Sequence, residues 1–252
     1  ANLLAENLST HLKSEAVITT STDRNTVFSV DLWSVKNNCF TLEIAHIKDI
    51  SSEILKGHSV GFYSDFPIVG DLPKELIMDQ TASIGICVSE NSSLAPFEKT
   101  LHLIPKRVVL GIGCRKGIEF RLLYPQIVSA LQEHHLAMEQ ILLLASIDLK
   151  KEELALLQLA KKWRLPFQTY SASELNHVDG TFTASSFVES VTGVDNVCER
   201  AAWKAAISVP SDPYMAAGAF DVSAAHFIFR KITGDGVTIS AVLRENWQCD
   251  FL

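Results

Sequence analysis

The heptapeptide GIGCRKG, residues 111–117, follows a short apolar run, 108–110, rich in β-branched residues. That is the composition of a buried strand delivering a tight turn to a ligand. Two of its glycines allow the backbone to approach a bound molecule closely, and the turn offers backbone N–H groups as donors. Arg115 and Lys116 add two adjacent cations suited to carboxylates or phosphates. The nucleotide patterns do not fit. A P-loop needs Gly-x4-Gly-Lys-Ser/Thr, and the dinucleotide fingerprint needs a small residue where Lys116 stands. An anionic small molecule is the minimal inference; the alternative is glycines that serve only the turn and two solvated cations. Cys114 is a candidate nucleophile if its thiol is acidified, but no histidine lies at a partner spacing, which favours packing of a small residue.

Two further clusters carry ionisable groups. In SIDLKKEE, Asp148 lies between a strand-like run and a helix, as a candidate N-cap. Lys150, Lys151, Glu152 and Glu153 then make an ordinary charged first turn. In TGVDNVCERAAWKAA, Gly193 marks a turn and Asp195 or Asn196 caps a helix. Glu199 is there a general base or a charge that complements the helix dipole, while alanines 201, 202, 205 and 206 permit close packing.

The elements that must position these groups alternate from Lys106 onward. Strands are expected over 107–112, 140–147 and 166–171, and helices over 126–134 (with Pro125 in the first turn), 150–163 and 196–207. A hairpin is expected around Gly234-Asp235-Gly236. On the 150–163 helix, Leu156, Leu159, Ala160 and Trp163 share one face. The fold class is therefore α/β: a mostly parallel sheet with helices on both faces, preceded by a smaller α/β domain. That smaller domain has strand-like runs at 40–45, 59–63 and 84–88. Before it, Leu4, Leu8 and Leu12 indicate an amphipathic helix, followed by a strand over 16–21 and a turn over 22–25. The polar stretch 89–100, with Pro96, is the loosest part, and a linker is assigned to 99–105. In such sheets ligands bind at the carboxyl ends of strands, where GIGCRKG falls.

Composition narrows the partners. The chain has 252 residues, 47% of them hydrophobic, and a net charge of −7; mean hydropathy is +0.17 and pI about 5.6. This argues against disorder and against a nucleic-acid surface. Cys39, Cys87, Cys114, Cys198 and Cys249 show no CxxC pair or zinc-site spacing, so reduced thiols and a cytoplasmic setting are expected. No apolar segment reaches membrane-spanning length, and no membrane partner is expected.

The segments GIGCRKG, ASIDLKKEE, LPFQTYSASEL, TGVDNVCERAA and a final VTIS-type strand, in this order and spacing, resemble the C-terminal domain of the CbiG/CobE family of cobalamin-biosynthesis proteins. The likeness runs over roughly 106–245, and residues 24–98 resemble the family's middle domain. Residues 1–23 are then a remnant of its N-terminal domain and 106–252 the C-terminal α/β domain. The resemblance implies an enzyme, cobalt-precorrin-5A hydrolase, that opens the δ-lactone of a corrinoid macrocycle and expels a two-carbon fragment as acetaldehyde. It implies a polycarboxylated cobalt-corrinoid substrate held by residues 111 and 113–117 and by Lys150. Such chemistry calls for a base, for which Glu199 and Asp148 are the candidates, and for oxyanion donors, for which the N–H groups of Gly113 to Arg115 are; the resemblance implies no cofactor or protein-held metal, the cobalt arriving inside the substrate. Neighbouring pathway enzymes and a second copy of the chain are further candidate partners. The competing expectation is a corrinoid carrier that binds without turnover, and a nucleotide-binding domain is a distant third.

Overall fold

In a computed structural model, residues 27–208 and 225–252 are described. The helix, strand and turn expected within 2–25 lie outside them. The chain forms two units: Ala1–Val35, Thr41–Leu103 and Asp250–Leu252 make the first, Lys36–Phe40 and Ile104–Cys249 the second.

In chain order the first part contains α1 (Val30–Lys36), β1 (Cys39–Thr41), α2 (Ile44–Leu55), β2 (Val60–Ser64), β3 (Ile68–Val69), β4 (Leu76–Ile77), β5 (Ile84–Val88) and β6 (Lys99–Pro105). The sheet order is β1-β6-β5-β2-β4, and β5 pairs parallel with both β2 and β6. Strands β2 and β5 fall close to expectation. Residues 99–105, expected as a linker, instead form β6, because Leu101, Leu103 and Ile104 are buried. The ring of Phe97 explains two glycines: a Cβ on Gly61 would lie 2.2 Å from it and one on Gly85 2.4 Å. These residues face each other across β2 and β5, so paired glycines make a slot for one aromatic ring. The chain end completes this core. Phe251 stacks on Trp33 at 5.0 Å, and the Trp33 indole N–H donates to the Asp250 carbonyl at 2.8 Å.

The second unit continues with β7 (Val108–Cys114), α3 (Phe120–Glu133), β8 (Ile141–Ile147), α4 (Leu154–Trp163), β9 (Phe167–Tyr170), α5 (Ala172–Asn176), α6 (Ser186–Thr192), α7 (Val197–Ser208), β10 (Ala225–Thr233) and β11 (Val237–Arg244); the short β12 (Cys249–Asp250) follows at the chain end. Its sheet order is β10-β11-β7-β8-β9. Strands β7, β8 and β9 are parallel, while β11 runs antiparallel to both β7 and β10. The hairpin thus turns a parallel sheet into a mixed one. Alternation along β7 splits the core. Val108, Leu110 and Ile112 join Leu123 and Ile127 of α3 and Leu156 and Leu159 of α4 on one face. Val109 joins the α7 alanines 201, 202, 205 and 206 on the other. Helices cover both faces, as the alternating pattern implies.

Some boundaries move. Strand β7 runs to Cys114, so Gly111 and Gly113 belong to the strand, and the turn is only 115–117. Helix α3 begins at Phe120, which leaves Pro125 inside it rather than in its first turn. Helix α4 begins at Leu154; the 148–150 segment before it is a single 3₁₀ turn in which Asp148 makes no side-chain cap.

Candidate active site

The carboxyl ends of β7 and β8 lie side by side, since Leu110 pairs with Leu144 and Gly111 with Ala145 in parallel register. This brings Cys114, Arg115, Lys116 and Gly117 to one rim with Asp148 and Lys150, which is how sequence order and sheet topology together assemble a site. Of the expected residues, these six share the rim. Gly111, Gly113 and Glu199 do not present themselves to it, each for a physical reason.

Gly111 is fixed by packing. A Cβ there would lie 1.8 Å from the Cys198 carbonyl oxygen and 2.8 Å from the Ala202 Cβ, so glycine lets α7 rest directly on β7. Gly113 is enclosed similarly: its Cβ would meet the Thr238 hydroxyl at 2.5 Å. Only Gly117 serves the turn itself. Its φ is +70° and an added Cβ would touch nothing within 4 Å, so backbone conformation alone selects glycine there.

Glu199 is fully buried. One oxygen accepts from the Thr183 hydroxyl at 2.8 Å and from the Lys231 N–H at 2.8 Å. The other accepts from the Thr183 N–H at 3.0 Å and from Arg230 at 3.5 Å. The Lys231 amide sits where the β10–β11 register slips between Phe229 and Ile232, so the carboxylate satisfies a donor exposed by the irregularity. As a candidate base Glu199 is thereby corrected: it has no open face for a water, and its four donors make it an anchor. The cap of α7 is Asn196, whose side-chain oxygen accepts from the Glu199 N–H at 2.9 Å. Asp195 instead pairs with Arg200 at 2.7 Å, and this guanidinium holds its carboxyl below the usual carboxylate range.

On the rim, Lys116 is exposed and has no partner among the described residues. Arg115 is 54% exposed, 3.7 Å from Asp235, itself 78% exposed; a pair this open is worth little and leaves the guanidinium available. The Arg115 N–H, expected as an oxyanion donor, is taken by the Gly236 carbonyl at 2.9 Å. Burial pushes the Cys114 thiol up to about 11, against an opposing effect of Lys150, which removes the acidified thiol that a nucleophile needs. Asp148 is half-buried and its carboxylate has no partner among the described residues. It is therefore a carboxylate of this edge without a fixed donor, as is the exposed Glu152 of the same loop. Lys150 is 13% exposed and lies 3.2 Å from Glu153, 8% exposed, so its charge is spoken for within the protein.

The sequence reading missed Glu153 as more than a charged first turn. Its two oxygens accept from the Gly117 N–H at 3.0 and 3.1 Å, across 36 residues. Only the adjacency of β7 and β8 makes the pair possible, and a linear spacing carries no trace of it. The first unit holds a separate cavity of about 560 Å3 lined by Asp49, Glu53, Lys56, Glu98 and Lys99 among others. Its residues come from α2 and the starting ends of β5 and β6, away from the strand ends that bind ligands in such sheets. Among the described residues no helix is long and apolar enough to cross a membrane.

Comparison with known proteins agrees with the resemblance read from the motifs. Over 220 residues, covering 81% of this chain and 61% of the relative, the chain is 32% identical to the cobalt-precorrin-5A hydrolase of Salmonella typhimurium. The enzyme of the same name from Priestia megaterium is 24% identical over 80% of this chain and 59% of the relative. The chain thus spans about three-fifths of the length of these two relatives. Among solved structures, CobE, a protein from the cobalamin biosynthetic pathway, is similar at 27% identity over 56% of this chain and 92% of its own, with TM-score 0.47. A cobalamin biosynthesis protein G homolog from Sulfolobus solfataricus is similar at 19% identity over 97% of this chain and 67% of its own, with TM-score 0.42. Residues 108–242 match the family described as cobalamin synthesis G C-terminus, and the chain, from the rim strand β7 to the hairpin strand β11, belongs to that family.

Proposed function

We propose that this protein is a cobalt-precorrin-5A hydrolase of cobalamin biosynthesis, which opens the δ-lactone of the macrocycle and releases the two-carbon fragment as acetaldehyde to give cobalt-precorrin-5B. The observation that carries this reading is the 32% identity with the Salmonella hydrolase over 220 residues, and the rim geometry supports it. A large, flat, polycarboxylated substrate calls for cations on an open edge, and Arg115 and Lys116 stand exposed there. Lactone opening calls for a base that activates water at the carbonyl, and Asp148 takes that role as an unpartnered carboxylate of the rim. The negative charge that develops on the carbonyl oxygen falls beside the cationic turn. On this reading the cobalt belongs to the substrate.

The test is anaerobic incubation with lactone-bearing cobalt-precorrin-5A, following acetaldehyde and macrocycle mass together. Acetaldehyde with the matching mass loss is the expected outcome, and Asp148→Asn is expected to lower kcat by about 10²–10⁴-fold while binding survives. Binding without acetaldehyde by the native chain replaces the hydrolase with a carrier.

A further inference from the structure

We infer that Glu153 is a positioning residue that locks the cationic turn of β7 onto the loop that follows β8, so that Arg115 and Lys116 stay aimed at substrate carboxylates. The inference rests on the reading that this turn binds the substrate. Its evidence is geometric. Glu153 precedes α4, where a side chain ordinarily caps its own helix, yet it makes no such cap. Its carboxylate instead reaches the Gly117 N–H with both oxygens, at 3.0 and 3.1 Å. Lys150, one turn earlier in sequence, donates to one of the same oxygens at 3.2 Å.

Both side chains are largely buried, at 8% and 13% exposure, although Gly117 and the neighbouring Arg115 and Lys116 are exposed. A charge-assisted contact from a largely buried side chain therefore holds one end of an exposed turn. Its other end is held by the Arg115 N–H on the Gly236 carbonyl at 2.9 Å. Between these two clamps lies Lys116, whose exposed side chain has no partner among the described residues. Glycine at 117 is part of the device: its positive φ of 70° lets the backbone turn there at no steric cost. Lys150 is accordingly reassigned from a substrate contact to the ion-pair partner of Glu153, leaving Arg115, Lys116 and Lys151 as the cations offered to solvent.

An opposite reading of the same contacts makes the sign of the test decisive. If Glu153 merely occupied an anion site made by Gly117 and Lys150, its removal would open that site and tighten binding. A lock predicts looser binding. The first measurement is amide hydrogen exchange at Gly117 in the substrate-free native protein and in Glu153→Gln and Glu153→Ala. Exchange is expected to quicken by about tenfold or more in Glu153→Ala and by less in Glu153→Gln, which retains one carbonyl acceptor. Lys150→Met, which leaves the carboxylate on Gly117, serves as a second variant, with an intermediate increase.

The second measurement is the dissociation constant for cobalt-precorrin-5A, expected to rise about tenfold in Glu153→Ala while kcat at saturating substrate changes little. Unchanged exchange at Gly117, or tighter binding by either Glu153 variant, overturns the lock. Failure of the native chain to bind the corrinoid would remove the substrate reading, yet the exchange experiment would still decide whether Glu153 holds the turn.

Discussion

Gly111→Ala separates the two explanations of the Gly-rich strand, because the ligand reading and the packing reading put the missing side chain in different places. In the structure the added Cβ falls 1.8 Å from the Cys198 carbonyl oxygen. An ordinary C···O contact is about 3.3 Å, so α7 would have to retreat by roughly 1.5 Å. Helix α7 buries alanines 201, 202, 205 and 206 against the sheet, residues too short to refill the gap that such a retreat opens. Overpacking of this kind costs about 1–3 kcal/mol, and the rigid partner, a backbone carbonyl in the first turn of a helix, puts the expectation near 3 kcal/mol. For a chain of this size that lowers the midpoint of the second unit's thermal transition by roughly 6–12 °C. Tryptophan fluorescence reads the change directly, since Trp203 lies on α7 stacked on Phe227 at 5.2 Å. Below the transition, corrinoid affinity should match that of the native chain. A variant that melts like the native protein but loses corrinoid binding would refute the packing account and return Gly111 to the ligand.

Glu199→Gln should destabilise the second unit by about 2–4 kcal/mol, because either orientation of the amide turns its NH2 toward a backbone donor, Lys231 N–H or Thr183 N–H; lost turnover at an unchanged midpoint would restore it as a base. Ser240→Ala should stabilise by about 1 kcal/mol, since the buried Ser240 hydroxyl has no hydrogen-bond partner among the described residues, and a drop in the denaturation midpoint would show that the hydroxyl is satisfied. Asp195→Asn should cost about 1 kcal/mol at neutral pH. Because Arg200 holds the folded Asp195 carboxyl below its ordinary value, the contribution is present above the unfolded value, about 3.9, and is lost as pH falls through the folded one. Denaturant midpoints of variant and native chain should therefore converge in acid; a gap that persists there would mean that packing, not ionisation, carries the effect.

The strands that end at the site are legible because they are buried on both faces: VVLGIGC and ILLLASI each read as unbroken apolar runs. Helix α7 is legible for a related reason, its alanines marking a face pressed close to the sheet. Elements with weaker contrasts are not. Helix α2 carries Ser51 and Ser52 and no side-chain cap, and β6 carries His102, whose ring is buried only because Glu43 and the Leu94 carbonyl both receive it. A polar group that is satisfied by distant partners looks, in sequence, like a group in a loop. The same holds at the site. Arg115 and Lys116 declare themselves by type, whereas the division of labour between Asp148, Glu153 and Glu199 depends on partners 16 to 36 residues away.

Those three carboxylates show how one fold sorts identical chemistry by environment. Glu199 has four donors and no exposure, Glu153 has a backbone amide and a buried ammonium, and Asp148 has neither. A proton acceptor in lactone opening must exchange its water contacts for the reacting water, and a carboxylate already committed to fixed donors gives up too much to do so. The cations sort in parallel, with Lys150 consumed inside the rim and Lys116 left outside it. Both divisions follow from one topological fact, the parallel adjacency of β7 and β8, which delivers two loops of mixed charge to the same edge and lets the inner charges pair while the outer ones face solvent.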